Sequence, residues 1–285
     1  MENLETFTLE FISQYLERKE QGLTKIKESL DKMKTNLEKM HTEENSFYNL
    51  LSKARAIQMK LKGFLGASKV ECFEQIDQRL NDICSLYNEK VLEIKSEVKT
   101  LQFSVNGLED YREHITEFFS SETDNLNDII KKQKAIFENS IKDIKDGLDL
   151  LKRLLKSLSR KLEEIETLND FIITIESAIN NIRVPSGLDN LIQLSEEQIN
   201  NLYIKTIETI STLREKVKRF IIENKLLSEN EIATLEILYK MKSEELDFVI
   251  VTTELKETLQ FPEETLQSIL FDLSMKGFIT LKIIP

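Results

Sequence analysis

The fold is decided by residues 141–165, which read IKDIKDGLDLLKRLLKSLSRKLEEI. Their apolar members are spaced alternately three and four positions apart, so all of them fall on one stripe of an α-helix. Because a helix buries such a stripe against another helix, the pattern predicts a coiled-coil seam. The stripe consists of Ile141, Ile144, Leu148, Leu151, Leu155, Leu158, Leu162 and Ile165.

The same spacing recurs twice, so long helices are predicted to dominate the chain. The composition agrees, because 31% of the residues are charged and only 7 are Gly and 3 are Pro. Many charges and few turn-forming residues are typical of long solvated helices rather than of a sheet-rich enzyme, and we expect an all-α fold. The two further stripes are Leu23, Ile26, Leu30, Met33, Leu37 and Met40, and Val91, Ile94, Val98, Leu101, Val105 and Leu108.

The charge balance and the cysteines indicate where the protein works. A net charge of −11 argues against a protein that coats nucleic acid or anionic lipid. The N-terminal residues lack the order of a signal peptide, and no apolar run approaches the roughly 18 residues of a membrane span. Cys72 and Cys84 are too far apart on one predicted helix to pair, which fits a reducing compartment. We expect a cytoplasmic protein without a membrane span.

Residues 1–183 are predicted to form long coiled-coil helices. Two glycines and a serine within residues 63–68 predict a first turn. The polar stretch SSETD at 120–124 favours a second turn, which gives an elongated antiparallel coiled coil or bundle of three helices of about 50 to 65 residues. The alternative is one helix over residues 69–182, which needs a second chain to cover its seam.

A boundary follows these helices, and residues 184–194 are predicted to be a linker. Pro185 disfavours helical geometry in the residue before it, and Gly187 allows a turn. The capping-box pattern Ser-Glu-Glu-Gln, which begins at Ser195, then predicts a connecting helix over residues 195–227.

Residues 228–285 lose the heptads and are predicted to form a small domain. Its order Leu270-x-x-Leu273-x-x-x-Gly277-Phe278-Ile279 resembles the end of the third helix and the first wing strand of winged helix-turn-helix domains. The sequence departs from that family because no second wing strand follows the first. The predicted elements are helices over 231–242, 252–260 and 261–275, a short β-branched run at 247–251 and a strand over 278–284.

The third helix of the small domain is predicted to have a buried and an exposed face. Its leucines and isoleucine at helical spacing are expected to form the core with apolar residues of the other elements. The predicted core consists of Leu266, Ile269, Leu270, Leu273, Ile232, Leu235, Leu238, Leu255 and Phe278.

The exposed face of this helix favours a protein partner over DNA. A DNA-reading winged helix inserts its third helix into the major groove, where cations neutralise the phosphates. Here the exposed residues are acidic or neutral, and they oppose such an approach. We expect the domain to bind a protein partner through this face or through the strand edge at Phe278. The partner-binding candidates are Glu263, Glu264, Gln267, Asp272 and Phe278.

The alternative is a dimeric transcriptional regulator, in which the heptads pair two DNA-binding winged helices. It would depend on a basic run just before the domain, made of Arg214, Lys216, Lys218 and Arg219. Charge runs on helices usually serve solvation, so nucleic acid is a less favoured ligand than a protein. The same heptads allow a homodimer in either function.

Long helices followed by a winged helix resemble the archaeal cell-division proteins of the ESCRT type, in which the wing domain recruits a filament protein. The resemblance is architectural over residues 1–183, and the first helix of that family is strongly basic whereas residues 2–40 are mixed here. The acidic third helix beside long heptads predicts a non-catalytic scaffold or adaptor, and the resemblance serves as an analogy for that layout.

No pattern of catalytic or ligand-binding residues stands out in the sequence. His41 and His114 have no metal ligands at the usual spacing, and no glycine-rich nucleotide-binding motif occurs. Paired carboxylates on exposed helices lack the burial that tunes a catalytic pKa. We therefore expect no catalysis, no cofactor and no metal site.

Overall fold

The structure is a computed structural model, and its regular secondary structure is helical. It describes residues 2–66, 71–100, 105–241 and 248–281, and none of these residues lies in a β-strand. The predicted all-α class is confirmed. Side chains within these ranges are described except at 2–8, 71–72, 94–95, 97–100, 105–111 and 248–250.

Ten helices follow one another in the described part of the chain. Three long ones make up the first half, and seven shorter ones follow. They are α1 Glu2–Leu65, α2 Glu71–Thr100, α3 Val105–Ser159, α4 Leu168–Asn180, α5 Leu188–Gln193, α6 Glu196–Ile199, α7 Leu202–Glu223, α8 Glu229–Lys240, α9 Phe248–Leu259 and α10 Glu263–Met275.

The chain divides into two compact units. The first unit contains residues 1–59 and 70–133, and the second contains residues 60–69 and 134–285. Within the described residues, no helix is both long enough and apolar enough to cross a membrane.

In the first unit, α1 and α3 run in the same direction. Arg112 donates to Asn36 Oδ1 at 3.2 Å, and farther along both helices Gln133 Nε2 donates to the carbonyl oxygen of Ala54 at 2.9 Å. Between these points the rings of Phe47 and Phe119 lie 5.2 Å apart. Residue numbers rise together in the two helices, which is the signature of parallel packing.

A chain of buried amides ties all three long helices together. Gln133 Nε2 on α3 donates to Gln58 Oε1 on α1 at 3.1 Å, and Gln58 Nε2 donates to Asp77 on α2 at 2.9 Å. Both glutamines are buried, and Gln133 Oε1 has no hydrogen-bond partner among the described residues. Later in α2, Tyr87 donates to Glu44, which lies earlier in α1, so α2 runs antiparallel to α1.

The predicted apolar stripe on α1, which runs from Leu23 to Met40, is buried only at its end. Met40, Phe47 and Leu51, which continue the spacing, are buried, and the Phe47 ring packs against Tyr87 of α2 and Phe119 of α3. Upstream of Met40 the described residues leave most of the stripe exposed, so no seam within the chain is formed there. The exposed members of the stripe are Leu23, Ile26, Leu30 and Leu37.

Most of the third predicted stripe lies outside the described side chains. Val91 is half-buried, while Leu101 falls between the described ranges. Cys72 and Ser68, the serine of the predicted first turn, also lie outside the described side chains. The other residues of this stripe whose side chains are not described are Ile94, Val98, Val105 and Leu108.

The turn predicted at residues 120–124 is wrong, because α3 continues through them. Phe119 and Leu126 flank this stretch and are both buried on the face that meets α1, so their burial outweighs the capping preference of the polar residues between them. The alternative single helix over residues 69–182 is also wrong, since α3 ends at Ser159 and turns follow it.

In the second unit, the stripe of residues 141–165 is buried along α3. Leu151, Leu155 and Leu158 belong to one core with residues of α4, α7, α8 and α10. The predicted stripe continues to Ile165, but α3 ends at Ser159. Turns follow, and Leu162 is 40% exposed.

The predicted linker and connecting helix are more structured than expected. Residues 184–194 contain α5, whose Leu191 is completely buried. The predicted capping box at Ser195 is confirmed, but the helix that it starts is the short α6. Asn201 has a left-handed backbone with φ 57° and separates α6 from α7.

A close contact between backbones explains why Gly66 ends α1. Gly66 has φ +57°, and a Cβ there would lie 2.0 Å from the side-chain oxygen of Asn201. The backbone nitrogen of Asn201 donates to the carbonyl oxygen of Gly63 at 2.8 Å. Residues 63–65 of the predicted turn belong to α1, which ends where the α6–α7 connection packs against it, and residues 67–68 lie outside the described residues.

The β elements predicted near the C-terminus are not formed where the structure describes them. Residues 248–251 belong to α9. At residues 278–281 the strand is replaced by a Schellman-type helix end, because Gly277 has φ +75° and Phe278 N donates back to the carbonyl oxygen of Leu273 at 2.9 Å. Residues 282–284 of the predicted strand lie outside the described residues.

We expect Leu155→Asp to lower the free energy of unfolding by about 3–5 kcal/mol, because it places an unpaired carboxylate in the core of the second unit. Thermal and urea unfolding measure the change. Leu162→Asp is the matched control, since Leu162 has the same heptad phase but is exposed beyond the end of α3. Equal losses in the two variants would contradict the packing described for the stripe.

Candidate protein-docking surface

The helix α10 presents a buried face and an exposed face. Leu266, Ile269, Leu270 and Leu273 are buried, as the sequence predicts. The helices α8, α9 and α10 each pack against the other two. The remaining predicted core residues are also buried or half-buried: Ile232, Leu235, Leu238, Leu255 and Phe278.

Four of the five predicted partner-binding residues lie on the exposed face. Glu263, Glu264, Gln267 and Asp272 are all exposed. Gln267 donates to Glu263 within the face at 3.4 Å. Glu263 and Glu264 lie in the first turn, where the partial positive charge of the helix N-terminus stabilises carboxylates.

Phe278, the fifth candidate, is in the wrong place for a docking residue. Its side chain is 4% exposed and packs in the core of the second unit. The helix end at Gly277 turns the chain back over α10, and this turn buries the ring. Phe278 therefore supports the face from behind and is not available on its surface.

Two apolar residues that the sequence analysis missed lie at the centre of the exposed face. Phe271 is 58% exposed and Met275 is 73% exposed. They are one helical turn apart and in phase with Glu264, away from the buried leucines. The sequence could have revealed them, because their helical phase places them opposite the buried leucines of α10. The α10 face is defined here as Glu263, Glu264, Gln267, Phe271, Asp272 and Met275.

An ion pair between partly exposed Lys276 and buried Glu231 links the two ends of the small domain. Lys276, just after α10, donates to both carboxylate oxygens of Glu231 on α8, at 2.6 and 2.9 Å. Glu231 also completes a capping box with Ser228. Burial raises the pKa of Glu231, but the hydrogen bonds from Lys276 and Ser228 outweigh it and hold the pKa below its ordinary value.

The basic run proposed for nucleic acid is partly used inside the protein. Arg214 makes a two-pronged contact with Glu236 of α8, and Lys218 lies 3.4 Å from the same carboxylate. Glu236 is buried, and its hydrogen bonds raise the pKa of Arg214. Lys216 and Arg219 are exposed. The structure thus does not bring the four cations together as one free patch.

The end of α3 anchors the small domain through side chains. Arg153 donates to the carbonyl oxygen of Tyr239 at 3.2 Å, and Arg160 donates to that of Gly277 at 3.3 Å. The Tyr239 hydroxyl forms a short hydrogen bond with Ser157, and burial raises the pKa of Tyr239. Because these contacts hold α8 and the end of α10, the α10 face rests on a fixed support.

The histidines and the described cysteine lie far apart in the sequence and in different surroundings. His41 and His114 are exposed, and Cys84 is buried, which raises the pKa of its thiol. In the described part of the chain, no three His, Cys, Asp or Glu side chains are grouped so as to hold a metal ion.

The Glu231–Lys276 pair gives a prediction about pH. The folded-state pKa of Glu231 is depressed below 4.5, so its contribution to stability is complete above that pH and is lost as the pH falls through the folded-state pKa. We expect Glu231→Gln to cost about 1–2 kcal/mol at neutral pH, since Lys276 is partly exposed, and the difference from wild type should shrink below about pH 4.5.

Urea unfolding at several pH values measures this difference. Glu257→Gln removes one charge from an exposed position of α9 and serves as the control, with an expected change within about 0.5 kcal/mol at neutral pH. A difference for Glu231→Gln that grew as the pH fell would contradict the pairing.

Comparison with protein-family models, with curated proteins and with solved structures found no match to this chain. The resemblances to winged helices and to archaeal division proteins therefore stay predictions. What the protein does has to be inferred from the α10 face and from the helices that support it.

Proposed function

We propose that the protein is a non-catalytic scaffold or adaptor that binds a protein partner through the α10 face. The observation that carries the proposal is the exposure of Phe271 and Met275 in the middle of this face. Large apolar side chains that stay exposed at adjacent turns, with a polar surround, are typical of protein interaction sites.

The chemistry of the face specifies the kind of partner. Glu263, Glu264 and Asp272 surround the two apolar residues with negative charge. A partner segment that carries Lys or Arg beside apolar anchors would complement both features. The apolar anchors would supply most of the affinity, and the charges would steer association and set its salt dependence.

The architecture proposed from the sequence suits this function. In this proposal α1, α2 and α3 serve as a coiled-coil scaffold, and residues 228–285 act as a docking module of the winged-helix type. The parallel and antiparallel packing of the long helices supports the first part, and the mutual packing of α8, α9 and α10 supports the second. An adaptor role in the manner of the archaeal ESCRT-type proteins would have the same layout.

The alternative of a DNA-binding regulator has less support. Two of its four cations, Arg214 and Lys218, interact with buried Glu236. Lys216 and Arg219 remain exposed, but the α10 face that would have to enter the groove is acidic.

The test uses charge reversal on the face and a matched reversal beside it. We expect Glu263→Lys/Glu264→Lys to weaken capture of the partner from an extract of the source cells by at least about tenfold, because it inverts the steering charge. Glu254→Lys/Glu257→Lys on the exposed side of α9 makes the same change in net charge and should leave capture unchanged.

A second double variant tests the contribution of the apolar anchors separately from that of the charges. Phe271→Ser/Met275→Ser should also abolish capture while the melting temperature stays near that of wild type, because both side chains are exposed. Equal capture by the α9 and α10 variants would contradict the proposed site. Salt-sensitive binding of the wild-type chain to random duplex DNA, lost on reversal of Lys216 and Arg219, would favour the regulator instead.

A further inference from the structure

The N-terminal half of α1 carries an apolar stripe that the described part of the chain leaves exposed. From Leu9 to Leu37 the apolar residues follow the alternating three- and four-residue spacing of a heptad, with Lys19 as the one interruption. Leu9 is 69% exposed and Leu23 is 67% exposed. The other exposed apolar members are Ile12, Leu16, Ile26, Leu30 and Leu37, and Met33 is half-buried.

This open stripe continues an interface that is already formed. Its spacing runs on without a shift into Met40, Phe47, Leu51 and Ala54, which are buried in the seam of the first unit. One helix therefore carries one heptad pattern, of which the later part is covered by the same chain. A heptad stripe is a surface for another helix, so the earlier part calls for a helix with the same repeat.

We propose that the missing helix is the same segment of a second copy, which packs antiparallel so that residues 12–37 of the two chains cover each other. In this register Leu23 of each chain faces Ile26 of the other at the centre. Outward from the centre, Leu30 faces Lys19, Met33 faces Leu16 and Leu37 faces Ile12. The contact ends before Met40, and burial within each chain begins at Asn36 and Met40.

The position of Lys19 selects the antiparallel direction. In a parallel, in-register pair, the two Lys19 ammonium groups would face each other in one core layer, which is unfavourable. In the antiparallel register the two lysines are separated by about 16 Å along the helices. Each then lies opposite Leu30, where its alkyl chain can cover apolar surface while the charge reaches water.

The charges beside the stripe select the same direction and register. Glu20 and Lys27 occupy equivalent flanking positions of successive heptads. In the antiparallel pair, Glu20 of each chain lies beside Lys27 of the other, which gives two attractive pairs. In a parallel pair, the flanking partners of Glu20 and Lys27 would be Tyr15 and Gly22, which carry no charge.

The first experiment measures self-association of the full chain by sedimentation equilibrium from low to high micromolar concentration. We expect the wild-type chain to dimerise and Leu23→Glu to weaken the dimer by at least about a hundredfold, since a carboxylate would be buried at the centre. Phe11→Glu is the matched control, because Phe11 is exposed on the same helix but lies off the stripe. It should dimerise like wild type.

The second experiment tests direction with a charge swap. Glu20→Lys alone and Lys27→Glu alone should each weaken the dimer several-fold, and the two changes together should restore it. A monomeric wild-type chain, or equal behaviour of Leu23→Glu and Phe11→Glu, would overturn the proposal. Dimerisation that is insensitive to both single charge reversals would overturn the antiparallel register. None of these outcomes bears on partner capture by the α10 face, so the two proposals fail independently.

Discussion

The structure depends on the burial of one apolar stripe along each long helix. A helix with a heptad stripe gains stability only where another helix covers that stripe. In α3 the stripe serves two cores in turn, since Phe119 and Leu126 are buried in the first unit and Leu151 and Leu158 in the second. The short helices after α3 complete the second core, and the α10 face is positioned by that core.

The helices and their buried faces could be predicted because the period of the apolar residues reports directly on helix geometry. The errors arose where a local preference competed with burial at a distance. The polar residues at 120–124 favour a turn, yet α3 continues through them, because Phe119 and Leu126 on either side are buried. The β-branched residues after Gly277 favour a strand, yet burial of Phe278 and its hydrogen bond back to the carbonyl oxygen of Leu273 determine the described backbone.

The candidate site was predictable to a similar extent and for similar reasons. The exposure of Glu263 and Glu264 follows from the phase of the buried leucines on α10. The pairing of Arg214 with Glu236 joins residues on different helices, and no local pattern reveals it. Phe271 shows a further limit, because an apolar residue in a helix suggests burial unless its phase is checked.

The buried amides of the first unit fix the register of α1 against α3 at two separate points. Asn36 contacts Arg112 near one end of the α1–α3 interface, and Gln58 contacts Gln133 near the other. Leucines along a seam can exchange partners after a slip of one heptad, but two separate polar contacts cannot both be remade. An insertion or deletion between these points in one helix would leave a desolvated amide unless the other helix changed by the same number of residues. The two helices are therefore constrained to evolve in length together.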